Sequence, residues 1–421
     1  MSLLLGTHQI DITPKLPVQL AGFAHRKGKT KDVHSPLFLK TFYFEIGAKA
    51  CVILIGDVIW WDTELVQKWR SIIANIYNLD PETICFHATH NHSGPQTSNA
   101  FTSLLGDADP HYLDSLESMI IESVRTARDD KEQVTATRRN TSCDIGVNRR
   151  TPRSGEIVMQ PNPDVFVDHQ VSIISFEKEN KEVKGMLVHY ACHPTSTDAN
   201  VVSSEYPGQC CSIIQKQYGK AVIGFLQGCC GEVRPALIKD NEFYRGDTSD
   251  MEQLGAQLAA SVLQALGEQE RERLEMTFME AKVMSVPLSF HEGYPAAIEM
   301  EEEVLEIWKK HVKKHWPAGM PIKLEIQVLQ LGKQFSLVCF NGEMVQAYGE
   351  YVKELYPGSL AIGYSNGMIG YIPTAGQIGE GGYESEGFIY YFGLPAPFQE
   401  EIEDTIRKAI KKSLVGDRND G

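Results

Sequence analysis

Thr89-His90-Asn91-His92-Ser93-Gly94-Pro95 follows directly on the apolar run Thr83-Ile84-Cys85-Phe86-His87-Ala88, a strand-like segment that empties into a Gly-Pro turn. In extended backbone, residues i and i+2 share a face, so His90 and His92 are expected to address one small site. Neutral imidazole is the commonest metal ligand and a natural acid or base near pH 7. The pattern predicts a metal centre at a strand end, with a second histidine beside it to handle protons.

His193-Pro194-Thr195 repeats the context, since His193 comes just after the apolar run Gly185–Cys192. Histidines from two strand ends can converge on one ion, and a catalytic zinc typically takes three protein ligands and keeps a fourth position open. Glu343 is the best oxygen donor to complete such a set. It follows the strand-like Phe335–Phe340 through Asn341-Gly342, another strand-to-turn junction. Bland readings compete with these. The chain has 13 histidines, and an isolated one is more often a surface or core residue than a ligand. Taken alone, Glu343 reads as an exposed loop carboxylate, Arg149 as a solvated charge, and Tyr371 and Tyr383 as packing aromatics.

The rest of the chain alternates strand-like and helical patterns. Strands are expected at Leu39–Ile46, Ala50–Val58, Thr83–Ala88, Val165–Phe176, Gly185–Tyr190 and Val222–Leu226. Helices are expected at Glu64–Ile76 and Met251–Leu266, where apolar residues recur at spacings of three and four. Further on, Thr277–Leu288 and Leu324–Leu331 read as strands flanking a charged helix, Ala296–His315. Phe335–Phe340 reads as a strand, followed by a helix beginning near Met344. Gly363–Thr374 and Gly376–Gly387 are glycine-dense and turn-like, and Pro397–Leu414 is an amphipathic last helix. This mixture predicts an α/β (mixed α+β) fold of layered β-sheets flanked by helices. No repeat, low-complexity tract or linker interrupts it, so residues 1–421 are expected to form a single catalytic unit.

Composition narrows the function. A formal charge of −15 over 421 residues excludes nucleic acid as a partner, because phosphate binding needs a basic surface. The nine cysteines, an odd number that includes the pairs Cys210-Cys211 and Cys229-Cys230, sit mostly in apolar runs. That pattern predicts free core thiols in a reducing, cytoplasmic compartment. No signal peptide is apparent, and no run approaches the ~20 apolar residues of a membrane span.

Motifs in the same order along nearly the whole chain resemble the catalytic domain of the neutral/alkaline non-lysosomal ceramidases, zinc amidohydrolases that cleave the N-acyl bond of ceramide. Asp11-Ile12-Thr13 and Gly22-Phe23-Ala24 resemble that family's opening motifs, and Thr89 to Pro95 resembles its Thr-His-Thr-His-Ser-Gly-Pro signature. Asn148-Arg149 resembles its Asn-Arg motif, with one extra residue before Pro152. His193-Pro194-Thr195-Ser196 is similar to its His-Pro-Thr run, with Asn200 where the family also has asparagine. Gly370-Tyr371-Ile372 and Tyr383-Glu384 resemble its paired tyrosine motifs. The resemblance implies a ceramidase-like catalytic domain with Zn2+ bound by His90, His193, Glu343 and Tyr371, and with His92, Arg149 and Tyr383 lining the substrate side. It further implies hydrolysis of a small-molecule N-acyl substrate by metal-activated water. His92 would then manage protons, and Arg149 and Tyr383 would donate to the oxyanion.

Two departures stand out. The family's C-terminal β-sandwich domain has no counterpart in the 421 residues. The family's Gly-Asp-Val-Ser-Pro segment is matched by Gly231-Glu232-Val233-Arg234-Pro235, so arginine stands where that family carries a serine. A serine nucleophile there is excluded. Arg234 is expected either to face the pocket and bind an anionic group or to pair with Glu232 or another nearby carboxylate. The alternative to an enzyme is a non-catalytic metal- or ligand-binding protein that keeps the fold.

Overall fold

Alternate residues of the neighbouring strands Phe38–Ile46 and Lys49–Gly56 go to opposite apolar layers. Phe42, Phe44, Cys51, Ile53 and Ile55 enter one, and Leu39, Tyr43, Val52 and Leu54 the other. Both faces of these strands are covered, which is why they read as continuous apolar runs. They belong to a computed structural model that describes residues 2–268, 270–293, 300–316 and 321–415.

The largest sheet among the described residues has nine strands. Its order is Val222–Gln227, Val183–Tyr190, Gln170–Glu177, Glu132–Ser142, Leu3–Asp11, Phe38–Ile46, Lys49–Gly56 and Ile84–Ala88, with Glu272–Leu274 added beside Glu132–Ser142. The two end pairs are parallel and the pairs between them antiparallel. Helices Thr63–Tyr77, Pro110–Asp129, Glu205–Tyr218 and Thr248–Gly267 contribute Trp69, Ile120, Ile214 and Leu258 to the apolar layer on one face. On the other face lies a second sheet in the order Met279–Leu288, Ile322–Leu331, Ser336–Phe340 and Ser359–Ile362. Its Leu329, Leu337 and Ile362 join Phe42 and Ile53. Its outer face packs against the helix Ile402–Val415 through Ile406 and Ile410. The architecture is mixed α/β, with sheet on sheet and helices outside.

The two end strands of the large sheet come together. The Gln227 N–H donates to His87 Nε2 at 2.8 Å. A segment leaving the second sheet seals the junction: the Ala88 N–H donates to Tyr364 O at 3.0 Å, the Asn366 N–H donates to Phe86 O at 2.6 Å, and Gly228 bridges Ile362. The carboxyl ends of Ile84–Ala88, Val183–Tyr190, Val222–Gln227 and Ser336–Phe340 therefore feed loops into one region.

Several expectations shift. The strand expected at Val165–Phe176 begins at Gln170. Pro163 lacks a donor for the ladder, Val165 and Phe166 are exposed, and the Phe166 carbonyl accepts from Gln346 Nε2 instead. The charged helix runs Glu302–His315, and positions 296–299 of its expected span lie outside the described residues. The glycine-dense 376–387 is not only turns: it holds the helix Ala375–Glu380, capped by Thr374 and Gln377, and one π-helical turn, Tyr383–Gly387. No helix among the described residues is long and apolar enough to cross a membrane.

Candidate metal centre

Strand Ile84–Ala88 ends before the histidines, and His90 takes a left-handed φ of 60°. Extended i, i+2 geometry is therefore not what joins His90 to His92; a strained turn is, at a cost of order 1–3 kcal/mol. Asn91 holds that turn. Its Nδ2 donates to Asp57 O at 3.1 Å and Ser203 O at 2.7 Å, and its Oδ1 accepts the Ser93 N–H at 2.8 Å. The Gly22-Phe23 motif packs against the same loop. Gly22 has φ +93°, and a Cβ there would lie 2.4 Å from His92 Nδ1, so only glycine fits. Phe23 lies 5.0 Å from the His92 ring, and Arg26 Nη1 donates to His92 O at 2.8 Å.

Five of the residues singled out from sequence meet in a buried cluster. His90 Nε2 is 3.2 Å and His193 Nε2 3.1 Å from the same atom, Glu343 Oε2. The Tyr371 hydroxyl is 3.2 Å from His193 Nε2, and His92 Nε2 is 3.1 Å from His90 Nε2. Glu343 and Tyr371 reach the cluster side by side because the short parallel strands Glu343–Met344 and Tyr371–Ile372 pair them in register. His90, His92 and His193 have ligand nitrogens all within 4.8 Å of one another, a spacing that can hold a metal ion.

The outer nitrogens decide the chemistry. His90 Nδ1 lies 2.9 Å from Ile59 O, and His193 Nδ1 lies 2.8 Å from Cys230 O. A carbonyl can only accept, so both Nδ1 atoms carry hydrogen and both Nε2 atoms present lone pairs. Two lone pairs and a carboxylate oxygen thus face one another in a buried space. Acceptors do not approach to ~3 Å without a cation or a proton between them. The donor set fits a divalent metal. Burial alone would raise the Glu343 carboxyl, but positive charge at the His90 and His193 positions outweighs it and holds it well below the usual carboxylate range, so the ionised carboxylate goes with a cation beside it. Burial, then Arg149 and His90, pull the His193 imidazole down to about 4 despite Glu343. Burial and then His90 and His193 hold His92 well below the ordinary histidine range. His92 Nδ1 differs from the other two, having no hydrogen-bond partner among the described residues.

Arg149 is buried beside this cluster rather than solvated. Its Nη2 donates to the Tyr371 hydroxyl at 3.1 Å and its Nε to Glu384 Oε1 at 2.7 Å. Its guanidinium is 5.6 Å from the ring centroids of both Tyr371 and Tyr383. Glu384 also accepts from Arg150 Nη1 at 2.8 Å. Sequence reasoning assigned no role to Glu384, although it adjoins Tyr383. It also passed over Tyr364, which stacks on His90 at 4.0 Å between centroids. Tyr364 sits in a glycine-rich turn with φ 55°, and no local signal marks it.

Arg234 makes no ion pair with Glu232. The Glu232 carboxylate instead accepts the Gln346 N–H at 3.0 Å and Gln377 Nε2 at 3.4 Å. Burial pushes that carboxyl up to about 7. Raising it means that the fold takes up a proton between the unfolded value near 4.5 and 7, so its contribution falls as pH rises through that window. Glu232→Gln should match wild-type stability below about pH 4.5 and exceed it by roughly 3 kcal/mol above pH 7. Urea titrations of both proteins at several pH values check this, and a pH-independent difference would refute it.

The chain shares its fold with neutral ceramidase from Pseudomonas aeruginosa at TM-score 0.78 and 16% identity, over 98% of this chain and 74% of that one. A structure described as ceramidase complexed with C2 matches at TM-score 0.77 and 16% identity, over 98% of this chain and 75% of that one. No curated protein sequence matches. The model of the neutral/alkaline non-lysosomal ceramidase N-terminal region matches residues 3–284, two thirds of the length, and the chain belongs to that family.

Proposed function

We propose that this protein is a zinc-dependent hydrolase of N-acyl amides, with the ion held by His90, His193, Glu343 and Tyr371. The observation that carries the reading is the convergence of two imidazole lone pairs on Glu343 Oε2, at 3.2 and 3.1 Å. Imidazole and carboxylate suit zinc, and the Tyr371 hydroxyl, 3.2 Å from His193 Nε2, is the fourth oxygen or nitrogen donor at hand. When bound there, zinc supplies Lewis acidity, polarising the amide carbonyl and making water a competent nucleophile near neutral pH.

The chain's own groups do the rest. His92, kept neutral by burial, accepts the proton that water gives up and passes it to the leaving amine. Arg149, fixed by Glu384, and the Tyr383 hydroxyl donate to the amide oxygen as it gains negative charge. We take residues 1–421 as one catalytic unit, a reading supported by donors drawn from both halves of the chain. The nine cysteines are all free and buried, which supports a reducing, cytoplasmic setting.

Hydrolysis should require the metal and no serine nucleophile. A chelator is expected to abolish turnover of N-acyl substrates, zinc to restore it, and serine-directed covalent inhibitors to leave it intact. A trapped acyl-serine would contradict the mechanism. Stoichiometric zinc without turnover on any N-acyl substrate would leave a binding protein instead.

A further inference from the structure

The short strand Val233–Pro235 pairs with Gly146–Arg153 so that Arg234 stands opposite Val147. Side chains two residues apart share a face, so Arg234 leaves the sheet on the same face as Arg149. The segment that carries it also fixes the candidate site. Glu232 O accepts the Arg149 N–H at 2.9 Å, and Val233 O accepts the His193 N–H at 3.0 Å.

The charges around Arg234 do not balance. Arg149 is neutralised by Glu384 at 2.7 Å, Arg150 by Glu384 and Glu380, and Arg245 by Asp198 at 2.8 Å. Arg234 makes no ion pair among the described residues. Its guanidinium lies 4.3 Å from the centroid of Phe243, and its buried Nε has no hydrogen-bond partner among those residues. Burial first, then the positive charge of Arg149, pull it down to about 10, so it stays charged at neutral pH. The side chain is only partly buried, but its buried Nε is a charged donor left unmatched, and an anionic ligand would satisfy it.

We propose that Arg234 is the counter-charge for a carboxylate on the substrate's amine half, and that the site takes N-acyl amino acids. This rests on the hydrolase reading above. Arg234 shares a sheet face with Arg149, whose Nη2 is 3.1 Å from the Tyr371 hydroxyl, so a short spacer between amide and anion is the simplest match. An N-acyl amino acid places its carboxylate one carbon from the amide nitrogen. The guanidinium fork matches a carboxylate in two-point geometry, and Phe243 fixes its plane.

The test compares N-octanoylglycine with N-octanoylglycinamide, which differ only in that charge. Binding to the metal-loaded protein is measured by calorimetry, and hydrolysis as the ratio of kcat/KM for the two. Wild type should favour the carboxylate by roughly 10- to 100-fold, the value of a charge-assisted hydrogen bond. Arg234→Gln should abolish that preference, and Arg234→Lys should keep part of it. Equal binding of the two probes by wild type, or an unchanged preference in Arg234→Gln, overturns the assignment. Should Arg234→Gln fail to fold, the wild-type comparison and Arg234→Lys still decide. A carboxylate preference without hydrolysis of either probe sustains the Arg234 assignment and overturns the hydrolase reading alone.

Discussion

Replacing His193 by alanine should strip the protein of its metal and abolish hydrolysis. His193 Nε2 lies 3.1 Å from Glu343 Oε2 and 3.2 Å from the Tyr371 hydroxyl, so it links two of the proposed donors. Changes merely beyond the ligands cost about 10- to 100-fold in metal affinity, and loss of a ligand should exceed roughly 100-fold. Metal content after dialysis, measured by mass spectrometry, should fall from one ion per chain to a small fraction. His92→Ala should separate the roles, keeping most of the metal while losing turnover. Full occupancy in His193→Ala would sink the ligand set, and equal metal loss in His92→Ala would make His92 a ligand rather than a proton carrier.

The second large effect is on stability. The Glu384 side chain is buried and accepts from Arg149 Nε at 2.7 Å and Arg150 Nη1 at 2.8 Å. The guanidinium groups outweigh the burial that opposes ionisation, and they hold its carboxyl below the usual range. Among the described residues, Glu384→Ala leaves Arg149 with no counter-ion and Arg150 with only Glu380, whose side chain is 56% exposed. Breaking a buried pair from one side costs about 3–5 kcal/mol, and here two cations share the loss. The urea midpoint should fall accordingly, with Glu384→Gln intermediate because its amide oxygen still accepts one donor. A change under about 1 kcal/mol would mean that water reaches both arginines.

What could be read beforehand follows from where the signals are local. His90, His193 and Glu343 each come just after a strand buried over all or nearly all its length, and such strands announce themselves as unbroken apolar runs. Tyr371 reached the candidate set only through family resemblance, because its position depends on pairing with Glu343 across 27 intervening positions of chain. The proximity of His90 and His92 was expected for the wrong reason, since the left-handed backbone at His90 leaves no mark in composition. Leu3–Asp11 went unmarked because Gly6, Thr7, His8 and Gln9 break its apolar pattern. The helix Glu205–Tyr218 was hidden by Pro207 and Gly208 in its first turn. Glu384 and Tyr364 sit in glycine-dense segments whose course is set by distant strands, so no local rule places them.

The segment that runs from Ile362 to Asn366 does more than deliver Tyr364 to His90. A wide open sheet ordinarily ends in strands whose unpaired peptide groups invite another chain to add on. Here Ile84–Ala88 and Val222–Gln227 are buried throughout, and the peptide groups of Phe86 and Ala88 are taken by Asn366 and Tyr364. The segment therefore acts as a hem. An insertion or cleavage there should uncover two apolar strand edges able to template aggregation. Covering the sheet ends and stacking Tyr364 on His90 thus fall to the same five residues.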